Sequence, residues 1–184
     1  TRFDGTTGSV GNWGWYTGST LLQYNNGSIN VTPASTTTYC VRGENICGNT
    51  TCTPITITVQ SKSNAPAGIL GTTSICPGGS TTLTVSGGSL GTGAQWYWYS
   101  GSCGGTFVGN GSSLVVAPAS TTTYYVRAQG TCNTTACASV TVTVNSNSSA
   151  PGSISATQTT ICNGGSTTLS VNGGALGTGA SWKW

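Results

Sequence analysis

Ile75-Cys76-Pro77-Gly78-Gly79-Ser80-Thr81-Thr82-Leu83 returns later in the same chain as Ile161-Cys162-Asn163-Gly164-Gly165-Ser166-Thr167-Thr168-Leu169. Working outward from this stretch, Ala65-Pro66 recurs as Ala150-Pro151, and Leu90-Gly91-Thr92-Gly93-Ala94 recurs as Leu176-Gly177-Thr178-Gly179-Ala180, followed each time by Trp-x-Trp. Upstream, Pro33-Ala34-Ser35-Thr36-Thr37-Thr38-Tyr39 matches Pro118-Ala119-Ser120-Thr121-Thr122-Thr123-Tyr124. The numbering shifts by 86 from Cys76 to Cys162 and by 85 from Pro33 to Pro118. Trp13 and Trp15 match Trp96 and Trp98 at a shift of 83, which places a two-residue insertion around Ser102 to Gly105. A nearly fixed period of this kind is the signature of a tandem array. It divides the chain into a partial repeat over 1–60, a complete repeat over 65–145 and a partial repeat over 150–184. Because a repeat cut in the middle cannot bury its core, the chain is expected to be an excerpt of a much longer molecule.

Within the complete repeat, short runs rich in Val, Thr, Tyr and Trp alternate in polarity and are separated by Gly, Pro, Asn and Ser turns about every ten residues. They predict strands over 67–71, 81–86, 95–99, 106–108, 113–117, 122–129 and 138–145. No segment has helical periodicity. Seven such strands in about 80 residues predict an all-β fold of tandem immunoglobulin-like antiparallel sandwiches.

Side chains two apart share one face of a strand. Trp96 and Trp98 therefore point together, as do Trp13 with Trp15 and Trp182 with Trp184, while the residue between them is Tyr97, Gly14 or Lys183. A position that tolerates Gly, Tyr and Lys faces solvent, so the tryptophans are expected to face the core, with Tyr124, Val126 and Ala128 and with Val140, Val142 and Val144. Tyr97, Tyr99, Tyr125 and Arg127 are then placed on the outer face of neighbouring strands. Such a patch has the chemistry to stack a sugar ring, although cross-strand pairing that stabilises an exposed sheet explains it as well. The first repeat carries Gly14, Tyr16, Cys40 and Arg42 at these places.

Eight cysteines, regularly placed in a chain rich in Ser, Thr and Gly, point to disulfides and an oxidising compartment. Spacing predicts bonds Cys47–Cys52 and Cys132–Cys137 at a turn between the last two strands of a repeat, and Cys76–Cys103 at one end of the sandwich. Cys40 and Cys162 are left over, with partners expected beyond the ends of the chain.

Composition removes several classes of function. Only 4% of residues are charged, there is no His, and Asp4 and Glu44 are the only acids, so paired carboxylates, Ser/His/Asp sets and metal sites all lack their parts. The chain is not expected to be an enzyme or to hold a cofactor. Arg2, Arg42, Lys62, Arg127 and Lys183 are scattered, so no basic patch serves nucleic acid. No apolar run is long enough for a membrane-spanning helix. Asn-x-Ser/Thr sequons occur at Asn26, Asn30, Asn49, Asn110, Asn133 and Asn147, most of them explained by composition.

The Ile-Cys-x-Gly-Gly-Ser-Thr-Thr-Leu unit, the Gly-Gly-x-Leu-Gly-x-Gly-Ala-x-Trp-x-Trp stretch, Tyr99-Ser100-Gly101-Ser102-Cys103-Gly104-Gly105 and Thr-Thr-Thr-Tyr-Tyr-Val-Arg together resemble the Ig-like repeats of giant Bacteroidota cell-surface proteins, notably gliding-motility adhesins exported by the type IX secretion system. The resemblance covers the whole chain. It implies the stalk of a very large extracellular adhesin filament at the bacterial outer surface, used in gliding or attachment. The implied partners are neighbouring repeats of the same chain, the gliding or secretion machinery, and a polysaccharide or solid substratum. A carbohydrate-binding accessory module of a secreted enzyme is the alternative, and it requires an outward aromatic platform in every repeat.

Overall fold

The computed structural model describes residues 12–25 and 27–183. Trp184 and the Asn26 sequon, on which readings above fall, lie outside the described residues. The chain forms two compact units, Thr1–Ser61 and Lys62–Trp184.

The first unit contains β1 (Asn12–Thr17), β2 (Thr20–Tyr24), β3 (Thr37–Asn45), β4 (Gly48–Asn49) and β5 (Thr53–Ile57). They pair antiparallel in the order β2-β1-β3, with β4 and β5 both on β3. The second unit holds β6 (Gly68–Leu70), β7 (Ser74–Ile75), β8 (Thr81–Ser86), β9 (Gln95–Ser100), β10 (Thr106–Asn110), β11 (Ser113–Val116), β12 (Thr122–Gln129) and β13 (Ala138–Val144), followed by β14 (Ser153–Ala156) and β15 (Leu169–Asn172).

Residues 68–144 make two facing sheets, β10-β9-β12-β13-β7 against β11-β8-β6. This is the immunoglobulin-like arrangement, in which the two inner faces supply alternate residues to one core. The alternation is read directly from burial. On β9 Trp96 and Trp98 are buried, Trp98 completely; on β12 Tyr124, Val126 and Ala128 are buried, and on β13 Val142. Leu83 of β8 and Val116 of β11 close the other side. Trp98 also needs a partner for its indole N–H in this apolar setting, and it donates to the Gly111 carbonyl at 2.9 Å. The β7 segment is absent from the sequence expectation. It joins the edge of β13 in parallel, through Thr143↔Ser74 and Val144↔Ile75, and two residues are too few to show alternation.

One glycine is required by both conformation and contact. Gly88 follows β8 with φ +74, and a Cβ there would stand 2.7 Å from the Ala65 carbonyl oxygen and 2.9 Å from the Trp96 ring. Gly88→Ala is expected to destabilise the sandwich by about 2–3 kcal/mol, combining left-handed strain with overpacking; urea denaturation of the full chain measures it.

In the first unit the sheet built from β1, β2, β3 and β5 repeats β9, β10, β12 and β13, but the described residues include no strands equivalent to β6 and β8. Residues 28–31, equivalent to β11, form no strand, because β11 pairs only with β8. A cleft of about 320 Å³ is lined by Leu22, Ile29, Val31 and Tyr39. Trp13 is accordingly 46% exposed, in contrast to its buried counterpart Trp96. The β14–β15 pair shows the converse. Ile154 and Leu169, equivalent to Ile69 and Leu83, are exposed, as is Trp182. The inward orientation expected of every tryptophan therefore gives burial only where both sheets are present.

Candidate functional site

The outer face of β9 and β12 gathers the four residues that the alternation places there. Cross-strand pairs set Tyr97 beside Arg127 and Tyr99 beside Tyr125. Tyr99 is the centre of the cluster and is only 8% exposed. The Arg127 guanidinium lies over its ring at 5.0 Å, its hydroxyl donates to Gln129 Oε1, and Arg127 Nε donates to the same oxygen at 3.1 Å. Phe107 of β10 meets Tyr99 edge-on, with ring centroids 6.2 Å apart, and meets Tyr97 at 6.0 Å with planes tilted by 50°. Tilted rings and an arginine committed to internal partners make a self-packed face in which no two aromatic planes align for a ligand to stack on.

A loop over residues 101–105 folds back onto this face. A Cβ on Gly104 would stand 3.1 Å from both terminal nitrogens of Arg127, so the backbone itself covers the guanidinium. The loop is pinned there by a disulfide between Cys103 and Cys137, with Cα atoms 6.0 Å apart. The corresponding bond in the first unit is Cys40–Cys52, with Cα atoms 5.6 Å apart.

These bonds correct the expected pairing of Cys47 with Cys52, Cys132 with Cys137 and Cys76 with Cys103. Register explains the difference. Cys40 is opposite Pro54, so Cys52, two residues earlier, is its diagonal neighbour on the same face. Cys47 sits at the tip of the β3–β4 hairpin, closed by the pair Asn45↔Gly48. In the complete repeat the arm returning toward β13 runs alongside β12, with Thr134 bridged to Gln129 and the Thr135 N–H donating to the Ala128 carbonyl at 3.0 Å. Cys132 at the tip and Cys137 down the arm are thus separated along the strand, whereas a disulfide needs them side by side. Cys76 follows β7 at the far edge of β13, while the fold-back of loop 101–105 carries Cys103 inward over the sheet. Cys47, Cys76 and Cys162 are exposed thiols.

The two repeats solve one problem in two ways. Cys52 and Cys137 occupy equivalent positions of successive repeats. In the first repeat the partner is Cys40, at the position of Tyr125; in the second the inserted loop supplies Cys103.

One member of the outer-face cluster, Gln129 and its counterpart Glu44, escaped the sequence reading. Tyr16, Arg42 and Glu44 reproduce Tyr99, Arg127 and Gln129, with a carboxylate in place of the amide. Arg42 lies over the Tyr16 ring at 4.4 Å and its Nε donates to Glu44 Oε1 at 2.7 Å. Tyr16 donates to Glu44 Oε1, and Tyr24 donates to Glu44 Oε2 at 2.6 Å. Sequence spacing contained the signal, since the Arg and the Glu/Gln positions recur at the same shift as the Pro33 and Pro118 stretch, and the Tyr at the same shift as the tryptophans.

The Tyr16 and Tyr24 hydroxyls and then Arg42 hold the Glu44 carboxyl below its ordinary value of 4.5. The hydrogen bond to Glu44 in turn pushes Tyr24 up to about 12. A carboxyl whose pKa is depressed by folding contributes stability above its unfolded pKa and loses it as pH falls through the lower folded value. The first unit is therefore expected to lose stability from about pH 4.5 downward, and Glu44→Gln to remove that dependence; tyrosine fluorescence or amide NMR during acid titration reads it. At the other end, ionisation of Tyr24 works against the fold as pH rises above 10.0 toward its raised pKa.

Among the described residues no group of three or more His, Cys, Asp or Glu side chains could hold a metal ion. No helix among the described residues is long and apolar enough to cross a membrane.

Residues 64–145 match the model of the family described as "Ig-like domain CHU_C associated". A search of curated proteins found no match. The matched span is an Ig-like domain, a class that is typically non-catalytic and is consistent with a repeat or stalk module. Its disulfide suits an extracellular or secreted protein.

Proposed function

We propose that the chain is a stalk segment of a very large extracellular adhesin filament at a bacterial cell surface, of the kind secreted by the type IX system in gliding Bacteroidota. The observation that carries this reading is the recurrence, one period apart, of one strand set with a disulfide at the same position before its last strand. Repetition with stapling supplies length and resistance to protease and force, and the sparse charge leaves a hydroxyl-rich, weakly ionic surface. The outer aromatic faces support the same reading. They differ between repeats, and in the complete repeat the loop over 101–105 packs against Arg127, which speaks against the open sugar platform that an accessory module needs.

Neighbouring repeats are the first partners of such a segment, and the substratum is gripped elsewhere in the molecule. Antibodies raised against the full chain are expected to decorate unpermeabilised cells along surface filaments, and deletion of the gene is expected to abolish attachment or gliding. Labelling that appears only after permeabilisation would overturn the proposal.

A further inference from the structure

The linkers of this array, Ser61-Lys62-Ser63-Asn64 and Ser146-Asn147-Ser148-Ser149, are polar and free of carboxylates, so any stiffness must come from Pro and packing rather than from a bound cation. Their hydrogen bonds show how the chain is held. At the end of the complete repeat Asn145 still belongs to the sandwich: its N–H donates to the Ile75 carbonyl at 2.8 Å and its Nδ2 to Ser74 Oγ at 2.8 Å. The next residue already belongs to the following repeat. Ser146 N–H donates to Thr178 Oγ1 at 3.0 Å, and Thr178 N–H donates back to the Ser146 carbonyl at 3.2 Å.

The chain then stays bound to the same turn. Gly177 N–H donates to Ser148 Oγ at 2.9 Å, and Ser149 exchanges bonds of 2.9 and 3.4 Å with Ala175. Gly177 has no room for a side chain, because a Cβ would stand 2.4 Å from the Ser146 carbonyl oxygen and 2.7 Å from the Ser148 nitrogen.

The entry to the complete repeat is built alike. Gly91 N–H donates to Ser63 Oγ at 2.9 Å, and Asn64 exchanges bonds of 2.9 and 3.3 Å with Ser89. Here Asn133, one of the sequon asparagines, also grips the Ser63 backbone through both its amide oxygen and nitrogen, each at 2.9 Å. Ser63 is only 5% exposed. The recurrent Leu-Gly-Thr-Gly-Ala stretch thus has a task that alternation and core packing leave unexplained.

We propose that this stretch is a docking turn for the incoming chain, so that the junction after Asn145 is a hydrogen-bonded splice in place of a free linker and the complete repeat and the segment that follows it bend as one stiff body. The splice uses no carboxylate, so its stiffness is independent of calcium. A flexible junction would leave the stalk reading standing, so the two proposals fail separately.

Amide exchange and ¹⁵N relaxation on the full chain test it. The Ser146, Ser149 and Thr178 amides are expected to exchange on the order of a hundredfold slower than unstructured peptide, with backbone order parameters near the ~0.85 of rigid strands. Gly177→Ala is expected to abolish protection at these three amides while Val126 and Val142 keep theirs. If that variant also unprotects the sandwich core, Thr178→Val decides, since it deletes only the hydroxyl that accepts from the Ser146 N–H and shares a 3.2 Å bond with Ser146 Oγ, and is expected to release the Ser146 amide alone. Exchange of Ser146 and Ser149 at random-coil rates in the natural chain, or unchanged Ser146 protection in Thr178→Val, would overturn the proposal.

Discussion

Replacing Cys103 and Cys137 together by serine is expected to lower the stability of the complete repeat by about 3–4 kcal/mol, the loop-closure entropy of a bond spanning a sequence separation of 34. For a domain of this size that is a fall of roughly 15–25 °C in melting temperature. The native state gives further reason for a large effect. Loss of the bond frees loop 101–105, which covers Arg127, and so loosens the Tyr99–Arg127–Gln129 cluster beneath it. Cys76→Ser is the control: its thiol is exposed, and the melting temperature should stay within about 2 °C, as for a neutral surface substitution. Calorimetry of both variants measures the difference. Equal effects would mean that the staple lies elsewhere.

Trp98→Ala is expected to cost about 3–5 kcal/mol, the range for truncating a large buried aromatic. Trp98 is fully buried in the core cluster that includes Leu83 and Val126, and its indole N–H is bonded to Gly111. Truncation opens a cavity across both sheets and leaves the Gly111 carbonyl without this donor. A domain of about 80 residues has roughly 5–15 kcal/mol of stability in all, so the variant should lose a large share of it and unfold at a much lower denaturant concentration. Trp182→Ala, at a residue 38% exposed, should cost less than about 1 kcal/mol. Guanidinium denaturation followed by near-UV circular dichroism separates the two cases.

These contrasts show what could be read before any coordinates. The strands over 81–86 and 122–129 were legible to the residue because period-two alternation there is unbroken and glycine or proline stands near each end. The inward tryptophans on β9 followed from comparing Gly14, Tyr97 and Lys183 at one position. The cysteine partners were not legible from spacing, because proximity across a sheet depends on register and on where a loop turns back. Yet Cys40 and Cys103 held a clue: each repeat has one of them and lacks the other, as two routes to one partner position require. The β7 pairing was too short to announce itself. The linker bonds were hidden for a different reason, since they join backbone to backbone and to small polar side chains, which leave no periodic signal in the sequence.

The mass of the native molecule carrying this sequence tests the central claim most directly. Gel filtration with light scattering, after antibody capture from intact cells under non-reducing conditions, is expected to give a species many times heavier than this chain, with further repeats of the same period in the peptide map. A native species no longer than the 184 residues of this sequence would contradict the claim that the chain is one part of a long surface stalk.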